Sequence, residues 1–273
     1  MKSRILYEDK DLIVCRKPAG IATQTARVGQ RDMVSEIATY LADKEKNPCV
    51  KDKRPIEKQP YVGLVHRLDQ PVEGILVFAR SKAAAAALSR QMTEEQMAKD
   101  YYAVICGQDI PEDGELVDYL LKDGRTNLSK VVSREMKGAK EARLRFRILQ
   151  RRQVESAEVS CQIALARIRL QTGRHHQIRV QMANAGLSLL GDRKYADVQA
   201  VRLSEQLGMK DIALCAGRLA FMHPATGKKM IFSVMPEGKS FQEFRQEIEA
   251  DRNKDSRRLA VSDEIMPCHC AQR

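Results

Sequence analysis

The stretch GLVHRLDQPVEGILVFAR, residues 63–80, sets four polar or charged residues, His66, Arg67, Asp69 and Gln70, among apolar residues that read as buried sheet. If GLVHRLD is extended, period-two alternation sends Leu64, His66 and Leu68 to one face and Val65, Arg67 and Asp69 to the other. Gln70-Pro71-Val72-Glu73-Gly74 then makes a turn, and ILVFA is a five-residue apolar run of the kind found in central strands. Asp69 therefore stands at the rim of the core, where a carboxylate is partly desolvated and needs a partner to stay ionised. The plain alternative is that Asp69 caps the turn and pairs with Arg67.

A second block, QTGRHHQIRVQMANAG, spans residues 171–186. Thr172 and Gly173 precede an expected helix with Ile178, Met182 and Ala185 on one face, ended by Gly186. Arg174, His175, His176 and Arg179 crowd its positive end, where cations are opposed unless an anion binds there too. An RNA phosphate or a carboxylate would answer that charge. A metal on the paired histidines is disfavoured, because neighbours on a helix point different ways and no acidic third ligand is at hand.

Elements that would position these groups can be read around them. The segments ILY and LIVC flank an EDKD turn and read as two short strands; residues 31–45 place Val34, Ile37, Ala38 and Leu41 at helical spacing. NPCVKDKRPIEKQP reads as a loop, and Ser81 caps an alanine-rich helix running to about Met97. YYAVICG is a buried strand, and residues 108–140 read as loops and short hairpin pieces. ARLRFRIL, SCQIALARIRL and ALCAGRLAFMHP alternate apolar and polar residues, which suggests a largely antiparallel sheet with one wet face. The last of these pairs with KKMIFSVMP through the turn PATG. The expected class is α+β: a mixed, largely antiparallel central sheet with flanking helices, in one domain over residues 1–250, with a polar tail over residues 251–273.

The 273 residues carry 47 Lys and Arg against 36 Asp and Glu, a net charge of +11, which suggests a polyanionic partner, nucleic acid first. With 5% aromatic residues and no Trp, a single-strand binder built on many stacking platforms is disfavoured. No apolar run is long enough for a membrane span or a signal peptide, so a cytoplasmic protein is expected. The seven cysteines are mostly scattered singly and read as reduced thiols. Cys268-His269-Cys270 lacks a second ligand pair of matching spacing, and no structural metal is expected.

Together the blocks resemble the RluA-type RNA pseudouridine synthases. HRLD followed by ILVFA, GRHHQIRVQMANAG followed by GDRKY, the early ILYEDKDLIVCRKPAG, and LCAGRLAFMHPATGKKMIF carry the resemblance from about Ile5 to Pro236. It implies the pseudouridine synthase fold with a basic cleft, and an isomerase that detaches uracil from its ribose at N1 and reattaches it through C5, with no cofactor. Asp69 matches the family's catalytic aspartate, as nucleophile or as base. Arg179 matches the basic residue that pairs with it and would lower its pKa. Tyr101 aligns with the tyrosine that packs on the uracil. Arg67 resembles the residue that holds the place of the flipped base. His66, Arg174, His175 and His176 are assigned to RNA contact, with His66 inclined toward a structural or backbone role, and Ile231 and Phe232 to the uracil pocket. The implied substrate is a compact rRNA or tRNA stem-loop, met by a monomer with no obligatory protein partner and without an S4-like domain.

The chain departs from the family pattern at Val72-Glu73, where Thr-Ser is usual, and at His175, where Thr is common. Glu73 is thereby expected to add a negative charge beside RNA. Two rival readings are a noncatalytic RNA-binding or RNA-folding factor on the same fold, and a nucleoside glycosidase using Asp69 and Glu73 as paired carboxylates.

Overall fold

Period-two alternation does build most of the strands, and their order places the two polar blocks side by side. The computed structural model describes residues 4–27, 29–45, 60–155 and 160–263. The strands are β1 (Ile5–Glu8), β2 (Leu12–Lys17), β3 (Gly63–Leu64), β4 (Glu73–Ala79), β5 (Ala98–Gly107), β6 (Asp113–Asp123), β7 (Leu128–Val132), β8 (Lys140–Glu155), β9 (Ser160–Leu170), β10 (Ser188–Leu189), β11 (Leu214–Met222) and β12 (Lys229–Ser233). The helices are α1 (Met33–Glu45), α2 (Lys82–Thr93), α3 (Gln177–Asn184), α4 (Val198–Gln206) and α5 (Arg245–Asp263), the last entered through a 3-10 turn, Lys239–Phe244.

All twelve strands join one sheet in the order β1-β2-β4-β11-β5-β9-β8-β6-β7, with β3 on β4, β10 on β5 and β12 on β11. Pairing is antiparallel throughout except between β4 and β11. The expected α+β sheet is therefore present, but its centre has no wet face. Met33, Ile37 and Leu41 of α1 and Ile178 and Met182 of α3 cover one side. Ala84 and Leu88 of α2, Ala200 and Leu203 of α4, and Ile248 of α5 cover the other. The run EGILVFA of β4 is buried at every position, as a strand covered on both faces must be.

Strand β4 enters this packing where it passes β11 most closely. Gly74 sits at φ +133°, and a Cβ there would come within 2.5 Å of the Ala216 backbone, so no other residue fits without moving β11. Its neighbour Glu73 corrects an expectation. The side chain is 8% exposed; it accepts from Arg16 at 2.7 Å and from the Glu237 and Gly238 N–H groups at 3.0 Å. Its charge is buried and spent on fastening the segment after β12 rather than exposed as expected.

Ser81 caps α2 as expected, accepting from the Ala84 N–H at 3.1 Å, and α2 ends at Thr93, before Met97. Residues 108–140, read as loops and short hairpin pieces, hold the β6–β7 hairpin, paired over Tyr119–Asp123 and Leu128–Val132, and β6 also runs along β8, a longer pairing than expected. The loop expected over residues 47–60 falls almost wholly outside the described residues, as do residues 264–273 with Cys268-His269-Cys270.

The tail expected from Asp251 is likewise revised, because α5 continues to Asp263. Asp251 is 5% exposed, accepts from the Tyr102 hydroxyl at 3.0 Å and pairs with Arg167 at 2.9 Å. Arg167 also pairs with Asp100 at 3.0 Å, and Asp100 with Arg169 and Arg218. A helix with a largely polar sequence is thus docked by ion pairs beneath β5 and β9, which hydrophobic patterning does not register. Removing one partner of a buried pair strands the other's charge. We expect Asp251→Ala to cost about 3 kcal/mol of stability, read as a lowered midpoint in thermal or urea denaturation; an unchanged midpoint would show that α5 is held by its apolar contacts alone.

Candidate active site

The second block's helix opens at Gln177, after Thr172 and Gly173 as expected, and the chain between β9 and α3 seats polar side chains. Gln177 Oε1 accepts from Thr172 Oγ1 at 2.8 Å and the Arg174 N–H at 2.9 Å, while Nε2 donates to the Arg143 carbonyl at 3.1 Å. Gln181, fully buried one turn on, donates to Asp118 at 2.8 Å and the Ala142 carbonyl at 3.1 Å. These bonds fix α3 on β6 and β8 and aim its first turn at the loop after β3.

Arg179 leaves that first turn with its side chain only 5% exposed. Nε and Nη2 donate to Asp192 at 2.7 and 2.6 Å in a bidentate pair, Nη1 reaches Asp69 Oδ2 at 3.4 Å, and the guanidinium lies 5.0 Å over the Tyr195 ring. Burial works against this charge, but Asp192 and Asp69 outweigh it and raise the pKa. The cation at the helix's positive end is thus answered from within the protein, first by Asp192. Asp192 and Tyr195 belong to GDRKY, and their roles were missed at the sequence level; the clue was the unanswered charge of a buried arginine.

Asp69 follows β3 in a segment held by its upstream neighbours. Thr23 Oγ1 donates to the Leu68 carbonyl at 2.8 Å and accepts the Leu68 N–H at 3.1 Å. Gly20 N–H donates to the Gln70 carbonyl at 2.9 Å. Lys17, fully buried, donates to the carbonyls of Pro18, Ile21 and Gln70 at 2.9, 2.6 and 3.0 Å. Burial pulls its pKa down to about 8, with Asp69 and Glu73 opposing. The Asp69 side chain remains 26% exposed. Its pKa is raised by burial, against the opposing pull of Arg179 and His175. Arg179 lowers it as expected, but at 3.4 Å, and shared with Asp192, the cation does not overcome desolvation, so the net shift is upward.

Tyr101 on β5 is 6% exposed, lies in the same core cluster as Leu68, Val72 and Ile178 and feels the Asp69 charge, so Asp69, Arg179 and Tyr101 come together from three elements. Asp69 and burial both raise its phenol pKa. Lys99, two residues earlier on the same strand face, adds a partly buried cation beside Gly173, where a Cβ would lie 3.4 Å from Nζ. The spacing K-x-Y in KDYYAV carried that signal. Tyr102 points to the opposite face, onto Asp251.

The remaining residues divide. Arg67 is exposed and donates to Gln24 at 2.9 Å, and it makes no pair with Asp69. Arg174 is exposed and bonds the Glu141 carbonyl at 2.8 Å. His175 is half-buried, with Nδ1 2.9 Å from Ser129 Oγ, and burial pushes its pKa down to about 4. His176, 8% exposed, has Nε2 3.7 Å from Asp69 Oδ2. His66 is buried, accepts from the Val77 N–H at 3.4 Å and is pushed by burial to about 3; its ring serves the interior, so the assignment to RNA contact is corrected to packing. Phe232 stacks on Phe221 and meets Tyr7, in the cluster opposite the one that holds Tyr101, while Ile231 is partly exposed.

Asp9, Asp11 and His223 bring ligand atoms within 4.8 Å of one another. However, His223 Nδ1 accepts the Ala225 and Thr226 N–H groups, which leaves Nε2 as the protonated nitrogen that donates to Asp9 at 2.7 Å. That trio is a brace between two turns, and its imidazole has no free lone pair for a metal.

The family model for RNA pseudouridylate synthase matches residues 11–184 of the chain. The chain belongs to that family. It is 32% identical over 85% of its length to an uncharacterized RNA pseudouridine synthase of Bacillus subtilis, covering 69% of that protein. It is 32% identical to the dual-specificity RNA pseudouridine synthase RluA of Salmonella typhimurium, over 84% of this chain and 91% of that one. It is 30% identical to tRNA pseudouridine synthase C of Haemophilus ducreyi, over 86% and 91%. The fold matches human RNA pseudouridylate synthase domain containing 4, with a TM-score of 0.64 at 22% identity, over 86% of this chain and 90% of that one. The synthase is an isomerase acting on RNA. Among its described residues, no helix is long and apolar enough to cross a membrane.

These charge states set a pH profile for the synthase. An aspartate that acts as nucleophile or base must be ionised, so if Asp69 is the reacting carboxylate its raised pKa places the acid limb of kcat/KM above the ordinary aspartate value of 3.8. Lys17 holds the Asp69 loop best as an ammonium, which places an alkaline limb near 8. Stability through Lys17 moves the other way: its folded pKa lies below its unfolded value, so this group's contribution rises with pH from about 8 to 10.5. We expect Lys17→Met to lose the alkaline limb and to slow turnover on the order of 100-fold through misplacement of the loop; a rate profile with the limb intact would rule Lys17 out as its source.

Proposed function

We propose that the synthase converts specific uridines of rRNA or tRNA to pseudouridine, with Asp69 as the residue that reacts with a flipped-out nucleotide. The carrying observation is the placement of its carboxylate: partly exposed, with Arg179 and His176 both approaching one oxygen, Oδ2. The reaction breaks the N1–C1′ bond and forms C5–C1′; C5 gives up its hydrogen and N1 gains one, so no electrons are exchanged with a cofactor. Asp69 serves as nucleophile toward sugar or base, or as the base that assists glycal formation.

Around it, Tyr101 offers its ring to the uracil and Arg179 holds Asp69 in place. Arg67, whose guanidinium is exposed next to Gln24, takes the vacated position in the RNA stack. Arg174 and His175 lie on the approach to α3, as expected of contacts to the RNA backbone. Ile231 is retained as a pocket residue on the strength of the family resemblance. The relatives' names support a structured-RNA substrate: one carries tRNA in its name and another dual specificity. In this reading the synthase works as a cytoplasmic monomer. A glycosidase would need a second carboxylate beside Asp69, and Glu73 is engaged with Arg16 instead.

Pseudouridine mapping by chemical adduct and primer extension, on tRNA and rRNA from cells lacking the protein, tests this reading. We expect added wild type to restore a site that Asp69→Asn does not, with RNA affinity of the variant within about threefold, since Asn keeps the shape and loses the reacting oxygen. Arg67→Ala should slow single turnover by weakening capture of the flipped state. Restoration of the site by Asp69→Asn would remove Asp69 from the chemistry.

A further inference from the structure

His176 occupies the left-handed region at φ +53°, uncommon for a residue other than glycine or asparagine, and caps α3 through its carbonyl, which accepts the Val180 N–H at 3.0 Å, while its side chain makes no bond to the helix. Its ring is engaged elsewhere. Nδ1 lies 2.7 Å from Tyr195 Oη, and the same oxygen accepts the Ser129 N–H at 2.9 Å. A phenol has one proton to donate. With its oxygen already accepting from Ser129, the arrangement that uses the phenol's own proton has Tyr195 donating to His176 Nδ1 and the imidazole hydrogen on Nε2. Nε2 is the nitrogen 3.7 Å from Asp69 Oδ2. His175 stacks on the ring with centroids 3.7 Å apart, and Tyr195 meets it edge-on at 5.5 Å.

We propose that His176 is a positioning residue for Asp69: Tyr195 and Ser129 lock its Nε2–H tautomer, and this neutral N–H closes on Oδ2 when RNA enters, leaving Oδ1 to meet the uridine. The inference rests on Asp69 being the reacting carboxylate and extends that reading.

Several observations favour it. Among the described residues, the side-chain contacts of Asp69 all fall on Oδ2. The imidazole is buried beside a guanidinium, where burial with Arg179 and Lys194 nearby pushes its pKa down to about 3, so it donates a hydrogen bond without adding a second cation. The distance, too long for a hydrogen bond in the free enzyme, is of the kind that tightens in a substrate complex. The left-handed backbone is a local strain of the sort stored at working sites. The shared oxygen of Tyr195 further ties the β6–β7 hairpin, through Ser129, to the orientation of the reacting carboxylate.

Single-turnover tritium release from bulk tRNA and rRNA labelled at uridine C5, taken from cells lacking the protein, provides the test. The charged or titratable groups facing Asp69 are Arg179, Asp192, His175, Lys17 and Tyr101, and every variant keeps them. His176→Asn tolerates the left-handed backbone but lacks a donor at the Nε2 position, whereas His176→Gln can supply one. We expect His176→Asn to slow turnover about 10- to 100-fold, with RNA affinity within about threefold and the acid limb moved to higher pH. His176→Gln should recover about tenfold of that loss, and Tyr195→Phe should fall between.

A wild-type rate and acid limb in His176→Asn, with Asp69→Ala inactive, would overturn this inference and leave the Asp69 reading standing. Weaker RNA binding at an unchanged rate would make His176 an RNA contact and would also overturn it. Activity in Asp69→Ala would remove both readings together. Should His176→Asn melt early, Tyr195→Phe decides, since it deletes only the oxygen that sets the tautomer: a wild-type rate and acid limb there would overturn the proposal.

Discussion

A guanidinium kept charged below the protein surface is the constraint around which the site is arranged. Arg179 is nearly inaccessible, and a cation in that position is stable only if carboxylates meet it with good geometry. Asp192 does so in the two-bond arrangement that a planar fork permits, and the Tyr195 ring covers the guanidinium face. Asp69 receives only the remaining N–H, at longer range. This unequal division is what leaves Asp69 oriented yet under-solvated, with a pKa above the ordinary aspartate value. A carboxylate taken fully into the pair would be a better structural anchor and a poorer reagent.

The same logic extends to the backbone carrying that carboxylate. A loop outside regular structure would ordinarily sample several conformations, whereas here a buried ammonium and a threonine hydroxyl bind the carbonyls on both sides of Asp69. The anchors come from the end of β2 and the turn behind it, some 50 residues upstream, and their cost is a lysine with a depressed pKa. Preorganisation of this kind places the entropy loss in folding rather than in catalysis.

Much of this architecture was legible in the residues because burial imposes a period. The strands β1, β2, β4, β5, β9 and β11 follow from alternation or from unbroken apolar runs, and Ser81 marks its helix by chemistry alone. Asp69, Tyr101 and Arg179 were singled out by resemblance, and the fold brings them to one place. What stayed hidden was structure held by charge. The docking of α5 depends on Asp251 and Arg167, residues that a hydrophobic pattern reads as solvent-exposed tail. Glu73 looked like a surface charge because its partners, Arg16 and the backbone at residues 237–238, are distant in sequence. Asp192 escaped for the same reason: a bidentate partner is a matter of geometry, and spacing does not encode it. The wet face expected of the sheet is kept on β8, where Arg145 and Arg147 are exposed, and is lost at the centre, because alternation in one strand does not say what a helix from elsewhere will cover.

Tyr101 and Tyr102 stand back to back on β5, one packed with the Asp69 loop and the other donating to Asp251 of α5. Gly217 leaves the space that the Tyr102 ring fills, since a Cβ there would lie 2.5 Å from it. A strand slipped by one residue would exchange the two rings between the sheet's faces, and the two destinations are not interchangeable: one offers an aspartate in need of a phenol, the other an apolar seat in the cleft. The C-terminal helix, remote from the chemistry, thus acts as the gauge of alignment for the central strand. Through a single hydroxyl it fixes which of two identical side chains the cleft receives.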